Sequence, residues 1–404
     1  MPLTPDSWLA TAAFALVAAV FVTMAAGMLH NQRWARRLPA LDALPADPAA
    51  TPPRASIVVA ARDEAEGIEA SVRNLLGQRH VSIEVIVVSD RSVDDTAAIV
   101  RRLATDDPRV RLVEVTALPE RWLGKTHALH MGAAAATGDW LLFTDADCLL
   151  QPDVMARALR LAARDGVQHV ALTPAPIAAS TGGYAWHYVF LAGLLDWFGR
   201  ANRDEPGGYL GFGAFNLVQA STYRAFGGHE PLRLTVLDDV RLGLLVRRAG
   251  GRCRGFLGGS DTRCHWGSTL GQGIRLTEKN YFAAVHYNGA IVGGLALVVA
   301  LLWAGVIAGV ASGTVLGFAA AGAGALLALP AIVFSRRLEW PIAGALLAPL
   351  VHSFAAYAVV RSAVLTWRRG GVQWRETFYP LAELRAGDLM VSPGAAKTSS
   401  ARSG

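Results

Sequence analysis

A chain of 404 residues, 52% of them hydrophobic and only 17% charged, is more apolar than an ordinary soluble enzyme, so part of it is expected in lipid. The formal charge of +6, from 38 basic and 32 acidic residues, comes without a long basic run or an aromatic-interleaved basic patch, which argues against a nucleic-acid partner. Attraction to anionic headgroups and sugar-nucleotide phosphates accounts for that charge equally well.

Residues 8–29 are an uncharged run long enough to span about 30 Å of hydrocarbon at about 1.5 Å per residue. The run reads as an anchor over 1–34 rather than a cleaved signal peptide, because no basic region precedes it and Arg33, Arg36 and Arg37 follow it. Those arginines predict a cytoplasmic location for what comes next. Residues 35–53, rich in Pro and Ala, read as a tether. Within 54–287, apolar β-branched runs at 56–60, 83–88, 110–115 and 140–144 alternate with helical spacing at 65–76, 94–103 and 127–136. That alternation predicts an α/β domain on a mostly parallel, Rossmann-like sheet, with ligands at the carboxyl ends of its strands.

Residues 288–335 are an uncharged run of two spans' length with a turn near Ser312-Gly313, and 341–360, interrupted only by His352, is a candidate third span. Two or three spans thus fall within 288–366. Three would leave the basic, aromatic segment from Trp367 to Pro380 outside, against the charge rule, whereas two plus an interfacial segment would keep it inside. Residues 367–404 end in a small, polar tail from Ser392 that is expected to be disordered. Cys148, Cys253 and Cys264 lack metal-ligand spacing and read as small buried side chains of a reducing compartment.

Three groups of carboxylates carry the candidate chemistry. Asp90 stands where the second predicted strand ends, able to accept a proton from a base or ribose, while Asp94 nearby reads equally as a helix cap. Asp145 and Asp147 follow the buried run 140–143, a position that suits Mg²⁺ or Mn²⁺ held by one or two carboxylates plus substrate phosphates. Asp238-Asp239 precede an amphipathic helix; they are either first-turn residues or a base and a neighbour that raises its pKa.

In order and spacing these motifs, from Arg54 to Asn280, resemble family 2 glycosyltransferases of the GT-A fold. Val59-Ala60-Ala61-Arg62-Asp63-Glu64 is similar to the family's first-strand Pro-x-x-Asn-Glu signature, with Ala and Asp in place of Pro and Asn. Gly124-Lys125-Thr126-His127-Ala128 is similar to its Gly-Lys-x-x-Ala segment. The resemblance implies donor binding by Ala60, Arg62, Asp63, Asp90, Lys125 and Asp145, a metal on Asp147 and Asp145, and Asp239, beside Asp238, as the base of an inverting transfer. It also implies a nucleotide-sugar donor, UDP-linked, and a lipid acceptor, because the nearest likeness is to bacterial membrane enzymes of carotenoid and hopanoid metabolism. Such an enzyme belongs in the inner membrane, with its catalytic domain in the cytoplasm.

Gln272 and Arg275 match two positions of the Gln-x-x-Arg-Trp motif of processive synthases, yet Leu276 replaces the Trp, which removes an aromatic platform for a growing polymer. A processive polysaccharide synthase is therefore the second reading, and a catalytically silent nucleotide-sugar-binding scaffold the third. The glycines of 211–213 and 227–228 suggest close backbone approach to a substrate or tight turns. His229 and His265 read as structural. The aromatic stretch 186–198 is expected in the core, at the membrane surface, or lining a groove for a greasy acceptor.

Overall fold

The computed structural model describes residues 5–45, 52–177 and 179–390. Helix α1 (Pro5–Asn31) leads into β1 (Arg54–Ala61), α2 (Ile68–Leu76), β2 (Ser82–Asp90), α3 (Thr96–Asp106), β3 (Val110–Val115), α4 (Gly124–Ala135) and β4 (Trp140–Asp145). There follow α5 (Val154–Asp165), β5 (His169–Thr173), α6 (Thr181–Asn202), β6 (Asn216–Gln219), α7 (Asp238–Arg248) and β7 (Cys253–Leu257). The remainder comprises α8 (Leu270–Leu276), α9 (Glu278–Ala284), α10 (Gly289–Ala311), α11 (Val315–Leu338, with a 3₁₀ turn at Gly324–Leu327), α12 (Ile342–Arg369) and the hairpin β8 (Gly371–Trp374) and β9 (Thr377–Pro380).

Two compact units result. One, of mixed α and β structure, contains Ala35–Ile177, Trp197–His265 and Gly371–Gly404; the other, helical, contains Met1–Trp34, Ala178–Asp196 and Trp266–Gly370. The division departs from boundaries drawn at 54 and 287, because the chain weaves between the units and the C-terminal hairpin returns to the first.

The α/β unit is built on a seven-stranded sheet of order β3-β2-β1-β4-β6-β5-β7. Strands β1 to β4 are parallel, joined by helical crossovers. Strand β6 runs antiparallel to both β4 and β5. Val85, Ile86, Val87 and Val88 are fully buried because both sheet faces are covered, the expected state of parallel strands. The expected tether is in part a packed segment: Leu38 and Leu44 enter the sheet's core, and the Leu257 N–H donates to Arg36 O at 2.7 Å. The tail beyond Met390 lies outside the described residues.

Among the described residues of the helical unit, four helices are long and apolar enough to cross a membrane: Trp8–Asn31, Gly289–Ala311, Val315–Leu338 and Ile342–Arg369. The turn between α10 and α11 falls at Ser312-Gly313, Gly313 having a φ of +62°. All three cysteines are buried thiols.

Candidate active site

The carboxyl ends of β1, β2 and β4 lie side by side. Ala60 is in register with Val88 of β2 and with Asp145 of β4, so the first-strand signature, the Asp90 loop and the Asp145–Asp147 turn share one edge. The two loops are tied together: Asp63 accepts the Val93 N–H at 2.8 Å, and the Glu64 N–H donates to Thr96 at 2.8 Å. Asp94 accepts the N–H of Ala65 at 2.9 Å and that of Thr96 at 3.0 Å, so it acts as a local cap and loop tie.

Asp90 is buried, and both its oxygens accept from the Arg91 guanidinium, at 2.8 and 2.9 Å. Gly124 abuts this pair, since a Cβ there would stand 2.6 Å from Asp90 Oδ2. Its N–H donates to the Tyr379 hydroxyl at 3.1 Å. The C-terminal hairpin is fastened to the same edge by Arg375 on Glu64 at 2.7 Å and Glu376 on Arg62 at 3.0 Å. Arg91 and Tyr379 were not anticipated from sequence. Tyr379 lies 255 positions from Gly124, beyond the reach of local pattern reading.

Lys125, Asp145, Gly213, Asp238 and Asp239 line one small pocket, together with His229 and Asn216. The Lys125 ammonium lies 2.5 Å from Asp145 Oδ1. Burial opposes its charge, but Asp145, Asp238 and Asp239 outweigh that and hold its pKa well above the ordinary lysine value. Gly213 joins the two carboxylate groups, its carbonyl accepting the Asp145 N–H at 3.0 Å and its N–H donating to Asp239 Oδ2 at 2.8 Å. Asp239 Oδ1 also accepts the Val240 N–H at 2.8 Å. Enclosure drives the Asp239 pKa up and Asp145 adds to it, while Lys125 and the two N–H groups oppose them; the net direction is upward. His229 is buried and paired with the Tyr223 hydroxyl at 2.7 Å; burial depresses its pKa to about 3, so the ring is neutral and structural.

Asp147 keeps an exposed edge, yet the surrounding protein desolvates its carboxyl and Asp145 and Glu64 repel its charge, so its pKa is raised. A cation beside it relieves that repulsion. Among the described residues no three His, Cys, Asp or Glu side chains are arranged to hold an ion unaided. Two hard carboxylates suit an ion shared with substrate phosphates, so the residues present fit Mg²⁺ or Mn²⁺ on those terms.

With this geometry in view, the likenesses to known proteins take on meaning. The model of glycosyl transferase family 2 matches residues 56–225. Residues 56–225 are a family 2 glycosyltransferase domain. This domain holds the first-strand signature, Asp90, Lys125 and the Asp145–Asp147 turn, and Asp238-Asp239 lie just beyond the match. The chain is 37% identical over 116 residues to a succinoglycan biosynthesis protein, ExoO, of Rhizobium meliloti, covering 29% of this chain and 32% of that one. It is 24% identical over 197 residues to the 4,4'-diaponeurosporenoate glycosyltransferase of Staphylococcus haemolyticus, covering 48% and 51%. The chain thus spans about half the length, or less, of these curated relatives. A mannosyltransferase of Pyrobaculum calidifontis, solved with GDP-Man and Mn²⁺, shares the fold at a TM-score of 0.53 and 20% identity, covering 84% of this chain and 98% of its own. The family 2 domain has the GT-A fold.

Gln272 and Arg275 lie in the other unit. Both are exposed on α8 of the helical unit.

Proposed function

We propose that the chain moves one sugar from a nucleotide diphosphate sugar, UDP-linked, to a hydroxyl of a membrane lipid, with inversion at the anomeric carbon. The observation that carries this reading is the Asp145–Gly213–Asp239 linkage, which holds a phosphate-side carboxylate and an enclosed base in one pocket. Asp239, its pKa raised, takes the acceptor proton as the acceptor oxygen bonds to the anomeric carbon and the bond to the diphosphate breaks. Lys125 stays charged and faces the developing negative charge of the leaving group. Asp145 and Asp147 would hold Mg²⁺ or Mn²⁺, which supplies countercharge to the diphosphate. Asp90, with the Ala60, Arg62 and Asp63 loop, binds the nucleoside. The test is nucleoside diphosphate release coupled to a lipid mass shift, both lost in Asp239→Asn.

The lipid acceptor is supported by the apolar helices and by the relative that glycosylates diaponeurosporenoate, as its name states. We further infer that α12, although long enough to cross, does not. Arg337 at the end of α11 donates to Gln32 O at 2.8 Å, so α11 returns to the end of α1, where the chain passes directly into the catalytic unit. Glu278, before α10, accepts from Arg369, at the end of α12, at 2.7 Å. Helix α12 therefore begins and ends on one side. Its exposed Leu346, Leu350, Phe354, Tyr357, Val364 and Trp367 suit a re-entrant or interfacial segment facing lipid. On this reading Arg33, Arg337, Arg361 and Arg369 share one face of the membrane, the cytoplasmic one by the charge rule.

A further inference from the structure

Helices α1, α6, α9, α10, α11 and α12 of the helical unit line a partly open cavity of about 720 Å³, within the size range of small-molecule sites, about 300–1,000 Å³. Small side chains open it. At Gly193 a Cβ would meet nothing within 4 Å, and Gly324, Ala325 and Ala356 also line the space. Most of the remaining wall is leucine, valine, methionine and aromatic rings, a surface that favours an apolar occupant over water.

The polar side chains in this wall are Tyr281, Trp303, His352 and Ser353. Ser353 is satisfied, accepting the Trp303 indole N–H at 2.7 Å. His352 is not fully satisfied. Its Nδ1 lies 2.7 Å from Ala348 O, and because a carbonyl only accepts, Nδ1 carries the hydrogen. In the neutral ring, the form that apolar surroundings favour, Nε2 is then an acceptor; it is buried and has no partner. A buried acceptor without a donor is costly, so the complementary ligand is an apolar body bearing one O–H. A lipid phosphate would bring acceptor oxygens and negative charge against that lone pair.

We propose that this cavity binds a membrane lipid alcohol whose hydroxyl donates to His352 Nε2. The proposal goes beyond the transfer reading and requires neither donor nor turnover.

The test uses the full-length protein in phospholipid nanodiscs and a diazirine derivative of geranylgeraniol as photoprobe, competed by unlabelled geranylgeraniol, geranylgeranyl phosphate or squalene. Labelling is expected in α6 and α12, with the alcohol the best competitor. Gly193→Phe, whose ring enters open space, should abolish labelling while the melting temperature holds. His352→Leu should weaken competition by the alcohol about fivefold and leave that by squalene unchanged. Undiminished labelling in Gly193→Phe, a phosphate that competes better than the alcohol, or an unaltered alcohol in His352→Leu would each overturn the proposal. Nucleoside diphosphate release plays no part in the readout, so failure here and failure of the transfer reading remain distinguishable.

Discussion

Gly213 donates its N–H to Asp239 Oδ2 at 2.8 Å while its carbonyl holds the backbone of Asp145, so a residue without a side chain sets the separation of the two acidic groups. A Cβ at Gly213 would stand 2.7 Å from Asp145 Oδ2 and 3.3 Å from Lys125 Nζ. Gly213→Ala should therefore displace the Asp145 carboxylate without unfolding the domain. Titration of activity with Mn²⁺ should show a raised half-saturation concentration at an unchanged melting temperature; an unchanged Mn²⁺ requirement would contradict this.

The pH profile should carry the signature of Asp239. As the proposed base it would act deprotonated, and its pKa is raised above the ordinary value of 3.8, so kcat/KM should rise with pH along an acid limb centred above that value. Lys125 lowers the Asp239 pKa, so Lys125→Ala should move the acid limb to higher pH. Asp239→Asn should reduce kcat about 10²–10⁴-fold, the usual contribution of a positioned base.

Tyr379 accepts the Gly124 N–H beside Asp90 and Lys125, linking the C-terminal hairpin to the proposed donor edge. Tyr379→Phe removes that acceptor at the cost of one hydrogen bond and should raise the donor KM about fivefold with little change in kcat. Steady-state kinetics over a range of donor concentrations provide the check.

Much of the sheet was legible because its signal is local. Runs such as Val85 to Val88 are apolar on both faces, and β3 falls at Val110–Val115, where its pattern predicts it. The turn carrying Asp145 and Asp147 was legible for the same reason, following the buried strand Trp140–Asp145. Strand β6 was missed: it has only four residues, Asn216–Gln219, and its antiparallel place between β4 and β5 is a tertiary property. Gly213 was visible only as a glycine of uncertain purpose, since its purpose lies in two residues 68 and 26 positions distant, Asp145 and Asp239. Hydropathy marked α12 as a candidate span, whereas the proposal that it does not cross rests on the Glu278–Arg369 and Gln32–Arg337 bonds, which composition does not encode.

The stability of the α/β unit should depend on a buried ion pair that does not line the pocket. Arg157 and Asp261, each under a tenth exposed, are joined at 2.5 and 3.2 Å. Asp261→Ala strands a buried guanidinium beside the weaker contact with Asp153 and should cost about 3 kcal/mol. Thermal unfolding in detergent should show the melting temperature falling by several degrees.

Topology is open to direct labelling. Ser312→Cys, in the exposed turn after α10, should react with a membrane-impermeant maleimide in intact spheroplasts, whereas Gln373→Cys in the hairpin should react only after permeabilisation. Reaction of Gln373→Cys in intact spheroplasts would mean that α12 crosses.

The most direct measurement incubates the purified protein with Mn²⁺, a panel of nucleotide sugars and a bacterial lipid extract, following nucleoside diphosphate release and lipid masses beside Asp147→Ala and Asp239→Asn. Release with one donor and a single-hexose mass shift in one lipid class are expected, both lost in the two variants. A growing sugar ladder, no turnover with any donor, or full activity in Asp239→Asn would contradict the proposed transfer.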